Sequence, residues 1–405
     1  MIKNITKIAV LVGATLGVCS ANAGSYQLND YSVTGLGRSY AGQGIVGDDY
    51  SAIAFNPAGM TLMEKSGVQQ AFNFVNLRAD VNEIENQHNH KKMNFWQPVP
   101  AGFAQYNVND RFKVGVGIYA PFGLKTQYDS SWFASDTAVL SKLDIVDFNL
   151  SAAYKLSEHW SIGASAILRY IYGRMTSTLA AGRGEINFNV HGWTQTGALG
   201  VMYELNKNTR FGLSWRLRSA QRAKGHVKIS GNAPGHMWAN PDLPETFTLS
   251  GYHRYQKLGF SGTARWTHWS SSFPEFTVRS DAPLMQYVYG PRGKVSTYRY
   301  KNSWTLTGGV DYYYCKNLTF RFGGGWDESP AHHDAHRTIR IPDNDRWWMS
   351  VGASYMKNNW QLDVGYAHMI GRTGKSWEVS DPAAKHAKYK NLQSHILGVQ
   401  VQYKF

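Results

Sequence analysis

From Gly67 to the last residue of this 405-residue chain, apolar and polar side chains alternate one for one in segment after segment. Val399, Val401, Tyr403 and Phe405 fall on one face of a strand, and Gln400, Gln402 and Lys404 on the other, because successive strand side chains point to opposite sides. Arg111–Tyr119 and Trp347–Tyr355 repeat the pattern, the latter setting Trp347, Met349, Val351, Ala353 and Tyr355 against Trp348, Ser350, Gly352 and Ser354. One greasy face and one wet face fit the wall of a closed cylinder with lipid outside and water or a plug inside. After Gly24, no run of about 18 uncharged apolar residues exists to make a membrane-crossing helix.

Composition agrees. The mean hydropathy is −0.39, yet 14% of residues are aromatic and 40 are glycine. Half of each wall strand faces a polar interior, aromatics form interfacial girdles, and glycine serves turns and kinks. The amino end carries Lys3 and Lys7, an apolar run from Ile8 to Val18, and an Ala21-Asn22-Ala23 cleavage site, so residues 1–23 are expected to be a signal peptide. Cys19 invites a lipoprotein reading, but a lipobox wants a small residue where Val18 stands. Cys315 is then the one cysteine left, and no intrachain disulfide can form. The formal charge is +14, of which the two leader lysines account for part. It reads as loops near anionic headgroups or as an anion-attracting lumen. No basic run or motif marks a nucleic-acid site.

Tight turns are expected at 107–110, 157–159, 206–208, 255–256, 315–317 and 357–359. Longer polar connections lie near 80–94, 120–142, 179–190, 230–245, 279–298, 327–345 and 371–390. Six short turns alternating with seven long loops predict an all-β fold, a transmembrane antiparallel β-barrel of fourteen strands over residues 66–405, with short turns in the periplasm. Residues 24–65 lack alternation but carry Leu36, Tyr40, Ile45, Val46, Ile53 and Phe55, too apolar for a solvated linker. They are expected to form an N-terminal plug, or hatch, in a lumen too wide for wall side chains to fill.

The segment Leu28–Gly42, then Asp48-Asp49 and Asn56-Pro57-Ala58-Gly59, resembles the mature amino-terminus of FadL-type long-chain fatty-acid and hydrocarbon transporters. Leu243–Phe247, Trp266–Ser270, Asp327–Pro330 and Ile341–Arg346 resemble later stretches of the same family, in order, and the terminal Phe405 resembles the assembly signal of outer-membrane barrels. The resemblance implies a monomer in the bacterial outer membrane, placed there by the barrel-assembly machinery among lipid and lipopolysaccharide. It implies passive diffusion of a long-chain fatty acid or other hydrophobic molecule, with no enzyme activity and no cofactor.

It also implies site residues. Lys301, in Tyr300–Trp304, corresponds to a ligand-contacting lysine and is expected to meet the carboxylate. Tyr172 stands where an acid-binding arginine aligns, so Arg174, two residues on, is expected to substitute from the same face, with Arg169 pointing the other way. Pro121, Phe122 and Gly123 should kink the third strand inward and open the wall sideways, since proline cannot donate to the ladder; an ordinary strand end is the alternative. Asn56, Pro57 and Ala58 should turn the hatch chain. Asp48, Asp49 and Arg38 could tie it to wall charges such as Asp343, Asp345 and Arg346. Trp132 and Phe133 are expected to form an outer capture surface.

The histidines at 332, 333 and 336, and the stretch 87–92, read as solvated loops, with no metal site. Neither Gly-x-Ser-x-Gly nor a zinc-protease motif occurs. An aromatic or aliphatic hydrocarbon channel of the same fold, and a general porin or adhesin, remain as alternatives to fatty-acid transport.

Overall fold

The computed structural model describes residues 25–85, 90–179, 184–272, 275–291, 293–377 and 386–405. The expected signal peptide lies outside them. Among the described residues, the strands form a closed antiparallel wall of fourteen. They are β1 (Gly67–Glu83), β2 (His90–Asn107), β3 (Phe112–Gln127), β4 (Leu140–Lys155), β5 (Trp160–Thr178) and β6 (Glu185–Asn206). Next come β7 (Thr209–Arg216 and Ala223–Ile229), β8 (Gly235–Ala239 and Thr246–Tyr255), β9 (Leu258–Thr267 and Glu275–Ser280) and β10 (Lys294–Thr297 and Ser303–Cys315). The rest are β11 (Leu318–Asp327), β12 (Arg346–Lys357), β13 (Trp360–Gly371 and Gly374–Ser376) and β14 (Ala387–Lys404). β14 pairs with β1 from Gly67↔Lys404 to Glu83↔Ala387, which closes the cylinder. All six expected tight turns join consecutive strands. The tight-turn end is called lower here and the long-loop end upper.

The alternation does what its period dictates in the lower wall. Trp347, Met349, Val351 and Tyr355 are exposed outward, Met349 at 78%. Gln400 and Gln402 are fully buried on the inner face. That face meets protein instead of water. The Gln400 amide oxygen accepts from the Val33 backbone N–H at 2.9 Å and from Gln69 at 3.0 Å. Its nitrogen donates to Thr34 at 2.7 Å and Asp363 at 3.1 Å.

Val33 and Thr34 belong to the plug. The chain from Ser25 to Ser66 folds inside the wall around two short helices, α1 (Val33–Leu36) and α2 (Ala52–Phe55), and a 3₁₀ turn Pro57–Leu62. Ser32 caps α1 by accepting from the Gly35 N–H. Asn56 caps the 3₁₀ turn by accepting from the Ala58 N–H at 3.1 Å, while Pro57 starts it, where a missing N–H costs nothing. Wall glycines admit this segment. A Cβ at Gly200 would stand 2.1 Å from the Asn56 side chain, and one at Gly163 2.4 Å from the Pro57 carbonyl carbon. The plug backbone therefore packs where wall strands have no side chains.

Above the plug the wall changes character. β7, β8, β9 and β10 are each interrupted at one level. Their upper inner faces carry Ala223, Val227, Met237, Ala239 and Val278, which pack with Phe122, Leu124, Ile145, Ile171 and Trp269 into one apolar cluster.

Candidate functional site

β3 leaves one neighbour and bulges against the other. Its lower half pairs with β2 from Asn107↔Lys113 to Gly102↔Ile118, and the β2–β3 ladder stops there. β2 itself continues upward along β1 to His90. On its other side β3 stays paired with β4, but the register slips: Tyr119 faces Asp147 and Phe122 faces Ile145. Three residues of β3 thus oppose two of β4, a bulge, and the extra residue exchanges the faces. Below it Gly115, Gly117 and Tyr119 face the lumen; above it Phe122, Leu124 and Thr126 do so, all three buried.

The plug's leading segment covers the bulge from inside. The Gly123 N–H donates to the Tyr26 carbonyl at 2.9 Å, and the Leu28 N–H to the Pro121 carbonyl at 2.8 Å. Gln27 stands opposite Phe122 in this short antiparallel bridge. The Tyr26 ring packs edge-on against Trp269, 5.1 Å between centroids, and lies 5.9 Å from Phe122. A narrow cleft opens beside this patch. Leu77, Leu124, Ile341, Met369 and Leu392 give it apolar walls. Ser25, Thr126, Ser394 and Arg346 supply polar groups. Arg346 is already engaged, bonding Asp343 at 2.5 Å and lying 3.3 Å from Asp327.

Two ionic clusters bracket the site. At the bulge, Arg169 forks onto Asp147 at 2.6 and 2.9 Å, and Arg216 reaches the same carboxylate at 2.9 Å. Arg216 also donates to the Ala54 carbonyl of the plug and to the Tyr119 hydroxyl. Two guanidiniums on one carboxylate leave one excess positive charge, with the Arg169 guanidinium 5.7 Å from the centre of the Phe122 ring. Lower down, Arg38 pairs with Asp48 at 2.6 Å and Asp311 at 3.4 Å, and Arg321 joins both carboxylates. Burial opposes ionisation of Asp48, but the Arg38 and Arg321 charges win and hold its carboxyl well below the usual range. Burial pushes Asp49 up, with the Asp48 charge adding to it. Asp30 is driven up to about 6 by burial, against one hydrogen bond from Tyr40.

The expected residues scatter. Pro121, Phe122 and Gly123 sit in the bulge. Asn56, Pro57 and Ala58 turn the plug against β5, β6 and β7. The tie from Asp48 and Arg38 goes to Asp311 and Arg321; Asp343 and Arg346 pair with each other, and Asp345 with Arg372. On β5 the phase is the reverse of the expected one. Arg169 is buried in the lumen, flanked by Ile167 and Ile171, whereas Arg174 shares the outer face with exposed Leu168. Lys301 pairs with Glu328 at 2.5 Å and does not line the cleft. Trp132 is buried, stacked 3.9 Å from Tyr128 in an apolar cap that includes Leu77, Ile339 and Tyr389, and Phe133 packs against that cap. Among the described residues no group of three or more histidine, cysteine or acidic side chains is placed to hold a metal. The 87–92 stretch falls partly outside the described residues.

The family model described as "Outer membrane protein transport protein (OMPP1/FadL/TodX)" matches residues 14–405. A long-chain fatty acid transport protein of an Escherichia coli strain is 28% identical over 449 aligned positions, covering 99% of this chain and 98% of the relative. Outer membrane protein P1 of Haemophilus influenzae is 27% identical with full coverage of both chains. Among solved structures, a Pseudomonas aeruginosa FadL homologue superposes with a TM-score of 0.83 at 21% identity, covering 95% of this chain and 100% of that one. The Pseudomonas putida toluene transporter TodX gives 0.68 at 16% identity, covering 88% and 94%.

Proposed function

Because the chain belongs to the OMPP1/FadL/TodX family of outer-membrane transport proteins, we propose that it carries long-chain fatty acids across the outer membrane by passive diffusion. The observation that carries the reading is the seam above Gly102 and Ile118, where β3 leaves β2 and is bridged instead by Tyr26–Leu28. Ligand is captured by exposed outer-loop aromatics such as Tyr287, 89% exposed on the helix Pro283–Tyr289. It then enters the apolar cleft. Burial of a sixteen-carbon chain supplies on the order of 10 kcal/mol at about 0.8 kcal/mol per CH₂, so no specific contact is needed to hold it. The excess positive charge of Arg169, Arg216 and Asp147 beside Phe122 lies outside the cleft lining; it is the partner we assign to a carboxylate once the leading segment has lifted off the bulge, since a buried anion needs a cation or several donors. It takes the place of the pair Lys301 and Arg174.

Release requires the leading segment to move. Two backbone hydrogen bonds and the Tyr26 ring hold it over the bulge. Lifting it joins the cleft, through Ser25, Leu124 and Thr126, to the gap between β2 and β3 and so to the membrane interior. The relatives carry the names of transporters and outer-membrane proteins, which supports a non-catalytic role.

The test is a lock. Gln27→Cys with Phe122→Cys, in a Cys315→Ser background, places two thiols across the bridge. Oxidation should stop oleate uptake by cells and a reductant should restore it; undiminished uptake by the oxidised protein would refute the lateral route. A second reading has its own support, because Arg346, the one cation lining the cleft among the described residues, is already paired with acids. A neutral hydrocarbon channel would take up an alkane and a fatty acid of equal length alike, whereas the carboxylate site favours the acid.

A further inference from the structure

The upper wall from β4 to β9 is inverted: apolar within and charged without. Its inner positions Ile171, Val190, Val227 and Met237 belong to the apolar cluster. Register places the intervening outer residues in lateral rows. One row runs Tyr172↔His191↔Lys224↔Trp238↔Arg279 from β5 to β9. The next row up runs Lys142↔Arg174↔Asn189↔His226↔His236. Lys228 stands opposite Asn187, one step further. Lys142 is answered by Asp144, and His236 by Asp281. Among the described residues, Arg174, Lys224, Lys228 and Arg279 have no carboxylate within ion-pair distance.

Height fixes what these cations meet. Phe148, Tyr170 and Trp193 form an aromatic cluster on the outer face just below, with Trp193 4.9 Å from Tyr170 and 5.8 Å from Phe148. Leu150 and Leu199, further down, are exposed to the lipid side. Aromatics of this kind mark the edge of the hydrocarbon layer. Two and four residues along a tilted strand place the basic rows roughly 5 to 10 Å beyond that edge. Unpaired lysine and arginine facing hydrocarbon would cost about 2–4 kcal/mol each at mid-depth, so this face belongs at headgroup level. It is also concave. One trough between β5, β6 and β7 is lined by Arg174, His191, His226 and Lys228. A second, between β7, β8 and β9, is lined by Arg222, Lys224, Trp238 and Arg279, and by Asp281, whose carboxylate is taken up by His236.

We propose that this face binds the phosphorylated sugar headgroup of an outer-leaflet glycolipid. One phosphate lies in each trough, the Trp238 and Tyr172 rings pack on the sugars, and the acyl chains descend over Trp193 and Leu199. Lipid-borne phosphate is chosen over free phosphate because the troughs open sideways above a lipid-facing aromatic cluster. The assignment is independent of the transported ligand.

The experiment compares purified full-length protein in detergent with bis-phosphorylated lipid A and with the same lipid enzymatically dephosphorylated, read by native mass spectrometry. Removing the phosphates should weaken binding at least about tenfold. The quadruple variant Arg174→Gln, Lys224→Gln, Lys228→Gln, Arg279→Gln should bind both lipids equally while keeping the heat-modifiable gel shift of a folded barrel. Equal binding of the two lipids by the unaltered protein, a measurement that needs no variant, overturns the proposal. So does a folded quadruple variant that still discriminates. Competition by inorganic phosphate at concentrations equal to the lipid would show recognition of free phosphate and overturn the choice of a membrane lipid.

Discussion

The lower and upper halves of the lumen are filled by opposite chemistries. Below, the plug meets the wall through ions and amides: Arg38, Asp48, Arg321 and Asp311 interlock, and Gln400 saturates its hydrogen bonds on α1, β1 and β13. Above, the contact centres on an apolar cluster of Tyr26, Phe122, Leu124 and Trp269, with isolated hydrogen bonds around it such as Thr267 to Gln27 and the two backbone bonds to β3. Buried polar networks specify one geometry because each unsatisfied member is costly, whereas apolar contacts are non-directional and tolerate rearrangement. The lower half is therefore built to hold position and the upper half to yield, where a greasy ligand would displace side chains of its own kind.

Breaking the lower half should give the largest effect. Asp48→Ala with Asp311→Ala leaves two guanidiniums buried without carboxylates, and stranding one such charge costs about 3–5 kcal/mol. The plug should unseat, and planar-bilayer recordings should show porin-like conductance where the unaltered protein is closed. Closed channels in the double variant would remove the seal assigned to this cluster. In the upper half, Trp269→Ala should cost about 3–5 kcal/mol of stability through the cavity it leaves. It should lower the unfolding temperature without raising conductance, because the ionic contact below is untouched.

A third change separates the halves by pH. Asp30 is a plug carboxyl whose folded value is raised to about 6 from 3.8. The folded plug thus holds its proton more tightly than the unfolded chain does. The stability from this proton is complete below about pH 4, declines between 4 and 6, and is gone above that, a swing of about 3 kcal/mol. Asp48, with its lowered value, acts oppositely and loses its contribution only as acid protonates it. Protection factors of the plug amides, with the intrinsic exchange rate divided out, should fall from pH 4 to 6, and Asp30→Asn should flatten that dependence. An unchanged slope in the variant would assign the titration elsewhere. The smallest effect is expected from Gly200→Ala, whose methyl would collide with Asn56. Overpacking of this sort costs about 1–3 kcal/mol. It should speed exchange in Pro57–Leu62 while leaving the wall's circular dichroism unaltered.

Much of this was legible in the chain itself. Period-two alternation located the wall strands, and the short polar gaps located every lower turn, because both signals are local. The excess of glycine was legible as composition but not as position: Gly163, Gly200 and Gly212 mark where the plug presses on the wall. The phase of β5 was not legible. Ile167 and Ile171 line an apolar lumen while Leu168 meets lipid, so both faces are greasy and hydropathy cannot choose between them. Arg169 and Arg174 were exchanged for that reason. The plug's ionic partners also escaped. Asp311 and Arg321 sit singly in strands some 270 positions from Arg38 and Asp48, with only an alternating polar slot to mark them. Trp132 lies in a polar connection, a setting that suggests an exposed catcher, whereas that connection folds a small core of its own.

The bulge in β3 has a simple arithmetic consequence. A single supernumerary residue between Tyr119 and Phe122 is all that interrupts the regular ladder of β3. Removing one codon there would make the steps equal on both strands, so that Phe122, Leu124 and Thr126 still face inward but the bulge is gone and β3 runs in unbroken register. Side door and solid panelling are thus one deletion apart, so indels at this point, more than substitutions, are where inheritance could switch the behaviour of such a barrel at a stroke.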